Sequence, residues 1–172
     1  MPERRPRLEG KVAIVTGAGS SGEGVGNGKA AAVLFAREGA KVLLVDNAAD
    51  RAEETRVMIE EEGGVASVFQ ADVTDGDQCA AMAETAVERY GRLDILDNNV
   101  GISARGSVVD VTEEIWDRIM TVNVKTIYQA SRACIPKMME TGGGAIVNIS
   151  SIAGLRAHSQ AAYTTSKAAV VG

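Results

Sequence analysis

The sequence predicts an α/β fold, a single domain built on a doubly wound parallel sheet. Five short apolar runs rich in β-branched residues alternate with longer segments of helical periodicity. The runs are continuously apolar, which is typical of parallel strands covered by helices on both faces. With 172 residues, 45% of them hydrophobic and 24% charged, the chain is long enough for one domain with its own core.

The elements follow in order from these patterns. Strands are predicted at residues 11–17, 40–46, 66–73, 93–99 and 145–151, and helices at 27–38, 48–62, 75–90 and 112–141. Asp75 and Thr112 stand where they can cap the last two helices, each followed by acidic residues that the helix dipole favours. Glycines after the helices, such as Gly39 and Gly91, are typical C-terminal stops.

Composition excludes several functional classes. A net charge of -5 without a basic cluster offers no surface for a nucleic-acid backbone. Cys79 and Cys134 are too few and too far apart for a disulfide framework, and no metal site is predicted. No apolar run reaches the roughly 18 residues of a membrane span or the 7 to 15 of a signal peptide, so we expect a cytoplasmic protein with no membrane partner.

A glycine-rich loop follows the first predicted strand. Residues 17–22 match the string G-x-G-x-x-G, but a helix starting at Gly22 would contain three further glycines, each costing about 1 kcal/mol. The helix is therefore predicted to start near Asn27, after a long loop over residues 18–25. Bare backbone meeting a helix N-terminus at Gly26 and Gly28 can approach a pyrophosphate, which indicates a nucleotide site.

Asp46 ends the second predicted strand, about 20 residues beyond the loop. A carboxylate there accepts hydrogen bonds from ribose hydroxyls and repels a 2′-phosphate. No Arg or Lys within residues 18–28 would welcome that phosphate, so the sequence favours NAD over NADP. Methyltransferases that bind S-adenosylmethionine share the same pair of features, so this part of the sequence leaves the chemistry open.

Tyr163 and Lys167 form an i, i+4 pair just beyond the fifth predicted strand. A lysine beside a phenol favours the phenolate, which suits a general acid/base. Tyr128 and Arg132 have the same spacing, so the spacing alone is weak evidence. The place of Tyr163 at the carboxyl edge of the sheet, where α/β sheets bind ligands, gives the pair its meaning. Ser150-Ser151 and Asn98-Asn99 end the two neighbouring strands.

Together these residues resemble the short-chain dehydrogenase/reductase family over residues 8–172, which implies a Rossmann-type fold. The matching stretches are Val15-Thr16-Gly17-Ala18-Gly19-Ser20, Asp46, Ala71-Asp72-Val73, Asn98-Asn99-Val100-Gly101, Val122-Asn123-Val124, Ile149-Ser150-Ser151-Ile152-Ala153-Gly154 and Tyr163-Thr164-Thr165-Ser166-Lys167.

The resemblance implies reversible hydride transfer between NAD(H) and a secondary alcohol or ketone. Tyr163 would exchange the proton, Lys167 would assist it and hold the nicotinamide ribose, Ser151 would orient the substrate, and Asn123 would hold a proton-relay water within a helix distortion. The implied cofactor-binding residues are Gly17, Ser20, Gly26, Asn27, Asp46, Asp72, Val73, Asn99, Val100, Gly101, Tyr163 and Lys167.

The sequence departs from the family pattern at four places. Eight residues separate Gly17 from Gly26, five more than the family loop has, and Asp97 stands where the family has an apolar or neutral residue. A buried Asp97 would need a partner or a raised pKa. Ser151 lies one residue closer to Tyr163 than is common, so Ser150 is a second candidate for the catalytic serine. The chain ends at Gly172, whereas family members continue through two more strands and a substrate-covering segment.

We therefore expect a domain incomplete at the C-terminal edge of its sheet, with apolar surface exposed there. An inactive fragment or a non-catalytic nucleotide-binding module is the alternative to an enzyme, and a methyltransferase ranks last because it has no use for Tyr163 and Lys167. The resemblance also implies a homo-oligomer joined through the helix that carries Cys134, which we interpret as a packing thiol. His158 could touch substrate, although solvation is the simpler interpretation.

Overall fold

Five parallel strands form one sheet in the computed structural model, which describes residues 5–20, 22, 24–156 and 159–172. The strand order is β3-β2-β1-β4-β5, so β2 and β3 are added on one side of β1 and β4 and β5 on the other. The connections after β1 and β4 therefore diverge and leave a crevice at the carboxyl ends of these strands. This order confirms the doubly wound fold. The strands are β1 (Val12–Thr16), β2 (Lys41–Asp46), β3 (Val65–Gln70), β4 (Ile95–Asn98) and β5 (Ala145–Asn148).

In the described part of the chain, six α-helices connect and cover the strands. They are α1 (Asn27–Arg37), α2 (Ala49–Glu61), α3 (Gly76–Tyr90), α4 (Glu113–Met120), α5 (Thr126–Glu140) and α6 (Ala161–Val171), with a 3-10 turn at Ile152–Gly154. The prediction of one helix over residues 112–141 was wrong in its continuity, because a π-helical turn (Thr121–Lys125) separates α4 from α5. The predicted strands and the other predicted helices are present, with ends shifted by up to three residues.

The core lies on both faces of the sheet, as the continuous apolar runs predict. In β1, Val12 and Ile14 pack with α3 and α5, whereas Ala13 and Val15 pack with α1 and α2. All four side chains are at most 1% exposed. The alternation of a strand explains why neighbouring residues join opposite layers, so Val12 to Val15 are all apolar.

The predicted helix ends are confirmed where caps were assigned. The Asp75 carboxylate accepts hydrogen bonds from the backbone N–H groups of Asp77 and Gln78 at the start of α3. The Thr112 hydroxyl accepts one from Ile115 at the start of α4. Gly91 ends α3 with φ = 83°, a left-handed conformation that favours glycine.

The cysteines pack inside the layer between α3 and α5. Both thiols are fully buried and free, and burial raises the pKa of Cys79 to about 11 and that of Cys134 to about 12. Thiols held in the protonated form are poor nucleophiles, which agrees with a packing function for Cys134. Tyr128, Ile135 and Met139 are exposed on the outer face of α5, where the predicted oligomer contact would form. The oligomer stays a prediction.

Among the described helices none is both long and apolar enough to cross a bilayer. The cytoplasmic location stays a prediction. His158 lies outside the described residues.

Candidate active site

A cavity of about 800 Å³ opens at the carboxyl edge of the sheet, where β1 and β4 diverge. Ten of the predicted cofactor-binding residues line it: Gly17, Ser20, Gly26, Asn27, Asp46, Asp72, Val73, Asn99, Val100 and Gly101. The loops after β1, β2, β3 and β4 each contribute to the wall, because parallel strands bring their carboxyl ends to one edge.

The wall formed by α1 presents an uncapped helix N-terminus to this cavity. Helix α1 begins at Asn27, as predicted, and no side chain among the described residues caps it. Its first turn carries no acidic residue, in contrast to the capped α3 and α4. The unpaired N–H groups and the helix dipole favour an anion at this position. The first turn of α1 therefore fits a pyrophosphate.

Two contacts set the shape of the glycine loop. The Ser20 hydroxyl accepts a hydrogen bond of 2.8 Å from the backbone N–H of Gly26, which closes the long loop at its base. A Cβ on Gly28 would lie 2.0 Å from the Gly17 carbonyl oxygen and 2.5 Å from the Asn99 amide nitrogen. Glycine at position 28 thus lets α1 approach the end of β1 closely.

Asp46 lies at the end of β2 with both carboxylate oxygens held by the backbone. One oxygen accepts a hydrogen bond of 3.0 Å from the N–H of Gly19, and the other accepts one of 3.0 Å from the N–H of Ala48. These bonds fix the negative charge at the cavity wall. Arg51, in the first turn of α2, lines the same wall.

Asn99 ties the glycine loop to β4. Its side-chain amide donates to the carbonyl oxygens of Thr16 and Gly17, at 3.3 and 3.1 Å, and its backbone N–H donates to the Thr16 hydroxyl. The first turn after β1 and the turn after β4 therefore form one rigid unit. On the opposite side of the cavity, the Asp72 carboxylate accepts a hydrogen bond from the Thr74 N–H, which fixes its orientation within its own loop.

Three charged residues of the wall were missed by sequence reasoning: Arg51, Asp117 and Arg118. A cation near the ribose was expected only within residues 18–28, and Arg51 lies beyond that range. Asp117 and Arg118 belong to α4, whose polar face reads as an ordinary solvated face in the sequence. A signal existed only for Arg51, as a cation one helical turn after the acidic end of β2.

Tyr163 and Lys167 lie one turn apart on α6, which places the Lys167 ammonium nitrogen 6.0 Å from the centre of the Tyr163 ring. The ammonium donates a hydrogen bond of 2.6 Å to the Ile149 carbonyl oxygen, and burial lowers the pKa of Lys167. Within the described residues, the Tyr163 hydroxyl has no hydrogen-bond partner. It is therefore available to a ligand.

Asn123 occupies the π-helical turn, so the helix distortion implied by the family resemblance is present. Its side chain is fully buried and contacts Ile102 twice: it accepts from the Ile102 N–H at 2.8 Å and donates to the Ile102 carbonyl at 2.9 Å. The same amide donates to the Ser166 hydroxyl at 2.9 Å. π-Bulges of this kind are frequent at functional sites.

Ser150 and Ser151 make different contacts. The Ser150 hydroxyl donates a hydrogen bond of 2.7 Å to the Lys167 carbonyl oxygen, so it is turned toward α6. The Ser151 hydroxyl accepts from the N–H of Ala153 at 3.2 Å, and no described residue accepts its own proton. The 3-10 turn lies directly against α6, since a Cβ on Gly154 would fall 2.5 Å from the Lys167 carbonyl oxygen.

Gly101 joins the two groups of predicted site residues. A Cβ on Gly101 would lie 3.2 Å from the Lys167 ammonium and 3.5 Å from the Asn123 side-chain oxygen. Gly101 also lines the cavity. The cavity lining does not include the four candidate catalytic residues Asn123, Ser151, Tyr163 and Lys167. The cavity wall and these residues therefore meet at Gly101.

Asp97 is buried in β4, the position that the sequence analysis considered for it. The residue is 2% exposed, and one carboxylate oxygen has no hydrogen-bond partner within the described part of the chain. Burial raises the pKa of Asp97 to about 6.

Comparison with known proteins decides the family. The model of the short chain dehydrogenase family matches residues 11–172, which is nearly the whole chain. The chain belongs to the short-chain dehydrogenase/reductase family. The doubly wound sheet agrees with the resemblance that the motifs carry.

Two curated proteins illustrate the similarity to this short-chain dehydrogenase/reductase. The 3-oxoacyl-(acyl-carrier-protein) reductase FabG of Thermotoga maritima is 38% identical over 167 residues, which cover 96% of this chain and 66% of that protein. The 2-(S)-hydroxypropyl-CoM dehydrogenase 3 of Xanthobacter autotrophicus is 42% identical over 166 residues, 96% of this chain and 63% of that protein. The chain thus spans just under two thirds of the length of these relatives.

A solved structure shows the same fold with ligands bound. The 7α-hydroxysteroid dehydrogenase complexed with NADH and 7-oxo glycochenodeoxycholic acid superimposes with a TM-score of 0.88 at 35% identity. The match covers 96% of this short-chain dehydrogenase/reductase and 63% of that chain.

Proposed function

We propose that this chain binds NAD(H) in the cavity and that the protein transfers hydride between this cofactor and a secondary alcohol or ketone. The observation that supports it best is the position of Gly101, where the cavity wall meets the Lys167 ammonium and the Asn123 side chain. The nicotinamide ring would supply the hydride chemistry when bound. The chain's own residues would bind, orient and exchange the proton.

The cavity wall fits a dinucleotide at three points. The uncapped start of α1 suits the pyrophosphate, and the Asp46 carboxylate suits the ribose hydroxyls. Asp72 and Val73, across the cavity from α1, would contact the adenine. Because Asp46 is anchored by two backbone N–H groups, its charge cannot swing away from a 2′-phosphate, which favours NAD over NADP.

The proton would move at the Tyr163 hydroxyl, which is free of other hydrogen bonds within the described residues. The nearby Lys167 ammonium would stabilise the phenolate and bind the nicotinamide ribose, and its bond to the Ile149 carbonyl fixes its position. The Ser151 hydroxyl, which has a proton to donate, would orient the substrate oxygen. Asn123 would hold the relay water at the π-helical turn.

Cofactor binding is tested by titrating the chain with NADH and NADPH while following cofactor fluorescence. We expect NADH to bind at least about tenfold more tightly than NADPH, and Asp46→Ala to weaken NADH by about tenfold through loss of charged hydrogen bonds. Asp50→Ala is the matched control, because Asp50 is an exposed carboxylate in the first turn of α2. Equal affinity for both cofactors would overturn the NAD preference, and Arg51 would then be the cation responsible.

Catalysis is tested by following NADH consumption with a panel of ketones. Tyr163→Phe should lower the rate by about 10²- to 10⁴-fold, the contribution of a positioned acid/base, while changing NADH affinity far less. Tight NADH binding without turnover of any ketone would support the second candidate, a non-catalytic nucleotide-binding module. That candidate is favoured by the long glycine loop, in which eight residues separate Gly17 from Gly26.

A further inference from the structure

Ser166 is a fully buried hydroxyl between the candidate acid/base and the π-helical turn. Its hydroxyl donates a hydrogen bond of 2.7 Å to the Tyr163 carbonyl oxygen. It also accepts a bond of 2.9 Å from the Asn123 side-chain amide. Ser166 does not line the cavity, and the two bonds of its hydroxyl run to Tyr163 and Asn123.

The bonds of Ser166 complete a continuous path. Ile102 lines the cavity, and both its N–H and its carbonyl are held by the Asn123 side chain. The Asn123 amide then holds Ser166, which holds the backbone of Tyr163. The two side chains that make these bonds, Asn123 and Ser166, are buried, where hydrogen bonds polarise one another and are stronger than in water.

A neighbouring residue shows that this arrangement is more than ordinary helix chemistry. Thr165, on the same helix, also bonds back to a carbonyl, that of Ala161 at 3.0 Å. Its side chain is exposed, and the described residues give it no second partner. Such back-bonding is common for Ser and Thr within helices. Ser166 differs because its second bond crosses to another element.

We propose that Ser166 is a positioning residue, which transmits the geometry of the cavity wall at Ile102 through Asn123 to the helical turn that carries Tyr163. The inference rests on the proposed function, in which Tyr163 is the acid/base. Binding of a nucleotide against the wall would thereby order the Tyr163 turn before any contact with Tyr163 itself. Small displacements of a catalytic group have large effects on rate, which gives such a link its value.

Amide hydrogen exchange of α6 tests the link, with ADP as the probe because ADP lacks the nicotinamide half that would touch Tyr163. In the unaltered chain, ADP should slow exchange in residues 161–171 by about three- to tenfold. In Ser166→Ala, ADP should bind within about twofold of its original affinity, but the slowing should disappear. Thr165→Ala is the matched control and should keep the slowing.

The ratio of exchange with and without ADP separates positioning from mere stability. A variant that only loosens α6 speeds exchange equally in both states and leaves the ratio unchanged. A retained ratio in Ser166→Ala would therefore overturn the inference, as would an unaltered chain in which ADP binds and α6 does not respond.

Absence of ADP binding would overturn the proposed nucleotide site, and the link would then be tested without ligand. Asn123→Ala and Ser166→Ala should each speed exchange in α6 by roughly tenfold, and the double variant should be no faster than the faster single variant. Multiplicative effects of the two changes would show that Asn123 and Ser166 act separately and would overturn the inference.

Discussion

At the scale of single residues, Asp97 is the side chain whose presence in the core is hardest to reconcile with stability. It replaces an apolar or neutral family residue on the face of β4 that also carries Ile95, toward α1 and α2. An ionised carboxylate without a partner is costly there, which is why the pKa rises from 3.8 to about 6. The folded chain prefers Asp97 protonated.

Asp97→Val should therefore stabilise the protein by an amount that grows as pH rises from about 4 to about 6 and is largest above that range. Between the unfolded pKa of 3.8 and the folded pKa of about 6, the unfolded state ionises first, so stability falls as pH rises and stays low above pH 6. The shift corresponds to about 2–3 kcal/mol. Urea unfolding of both proteins at pH 8 and pH 4 measures the difference. A gain of equal size at both pH values would show that packing, not ionisation, is responsible.

Residue identities were predictable from the sequence where a local pattern encodes the chemistry. Asp46 at a strand end and the Tyr163–Lys167 pair at helical spacing needed only position along the chain. Ser166 lies within the same motif, yet its function depends on Asn123, 43 residues away. The Ser150 hydroxyl likewise donates to the Lys167 carbonyl oxygen, 17 residues away, a contact that no spacing shows.

At the scale of elements, the packing of α1 against the end of β1 controls the nucleotide site. The contact leaves no room for a side chain at position 28, where a Cβ would lie 2.0 Å from the Gly17 carbonyl oxygen. Backbone on both sides of this contact cannot yield as a flexible side chain would. Any substitution must push α1 and its uncapped N-terminus away from the glycine loop.

Gly28→Ala should thus abolish or weaken NADH binding by at least about tenfold, since helix displacement moves the N–H groups that would bind the pyrophosphate. Cofactor fluorescence measures the affinity, and circular dichroism shows whether the fold is kept. Gly22→Ala in the same loop is the matched control, because a Cβ there meets nothing within 4 Å. Equal loss in both variants would mean that loop flexibility, rather than the close approach of α1, sets affinity.

Element boundaries were predictable where caps and stops are local. Asp75 and Thr112 start their helices as the sequence indicates, and α1 begins at Asn27 because the glycines before it disfavour helix. The interruption at Thr121–Lys125 left no mark in the helical periodicity. At this interruption, the Asn123 side chain accepts a hydrogen bond from the Ile102 N–H, a contact between segments distant in the sequence. The family resemblance, and not the periodicity, pointed to it.

At the scale of the whole molecule, the strands of the sheet are not equally buried. The central strands β1, β2 and β4 are largely buried, whereas Ala145, Val147 and Asn148 of the edge strand β5 are exposed. Alternating strands and helices with right-handed crossovers predict a doubly wound sheet, but they do not predict which strand order it adopts. At this edge, Val147 is 43% exposed.

An exposed edge strand offers unpaired backbone groups to other chains, and β5 is therefore the expected site of self-association through sheet pairing. A charged residue on the edge opposes such pairing. Val147→Lys should lower the light scattering of a concentrated, warmed sample by roughly severalfold. Val57→Lys is the matched control, because Val57 is 41% exposed on helix α2 and adds the same charge away from any edge.

Both substitutions belong in the Asp97→Val background, because Val147 pairs with Asp97 in the strand register and a lysine there would reach its carboxylate. In that background the new cation acts only on the edge. If Val57→Lys suppressed scattering as strongly as Val147→Lys, net charge rather than the β5 edge would govern association. A selective effect of Val147→Lys would instead identify β5 as the surface through which copies of this chain associate.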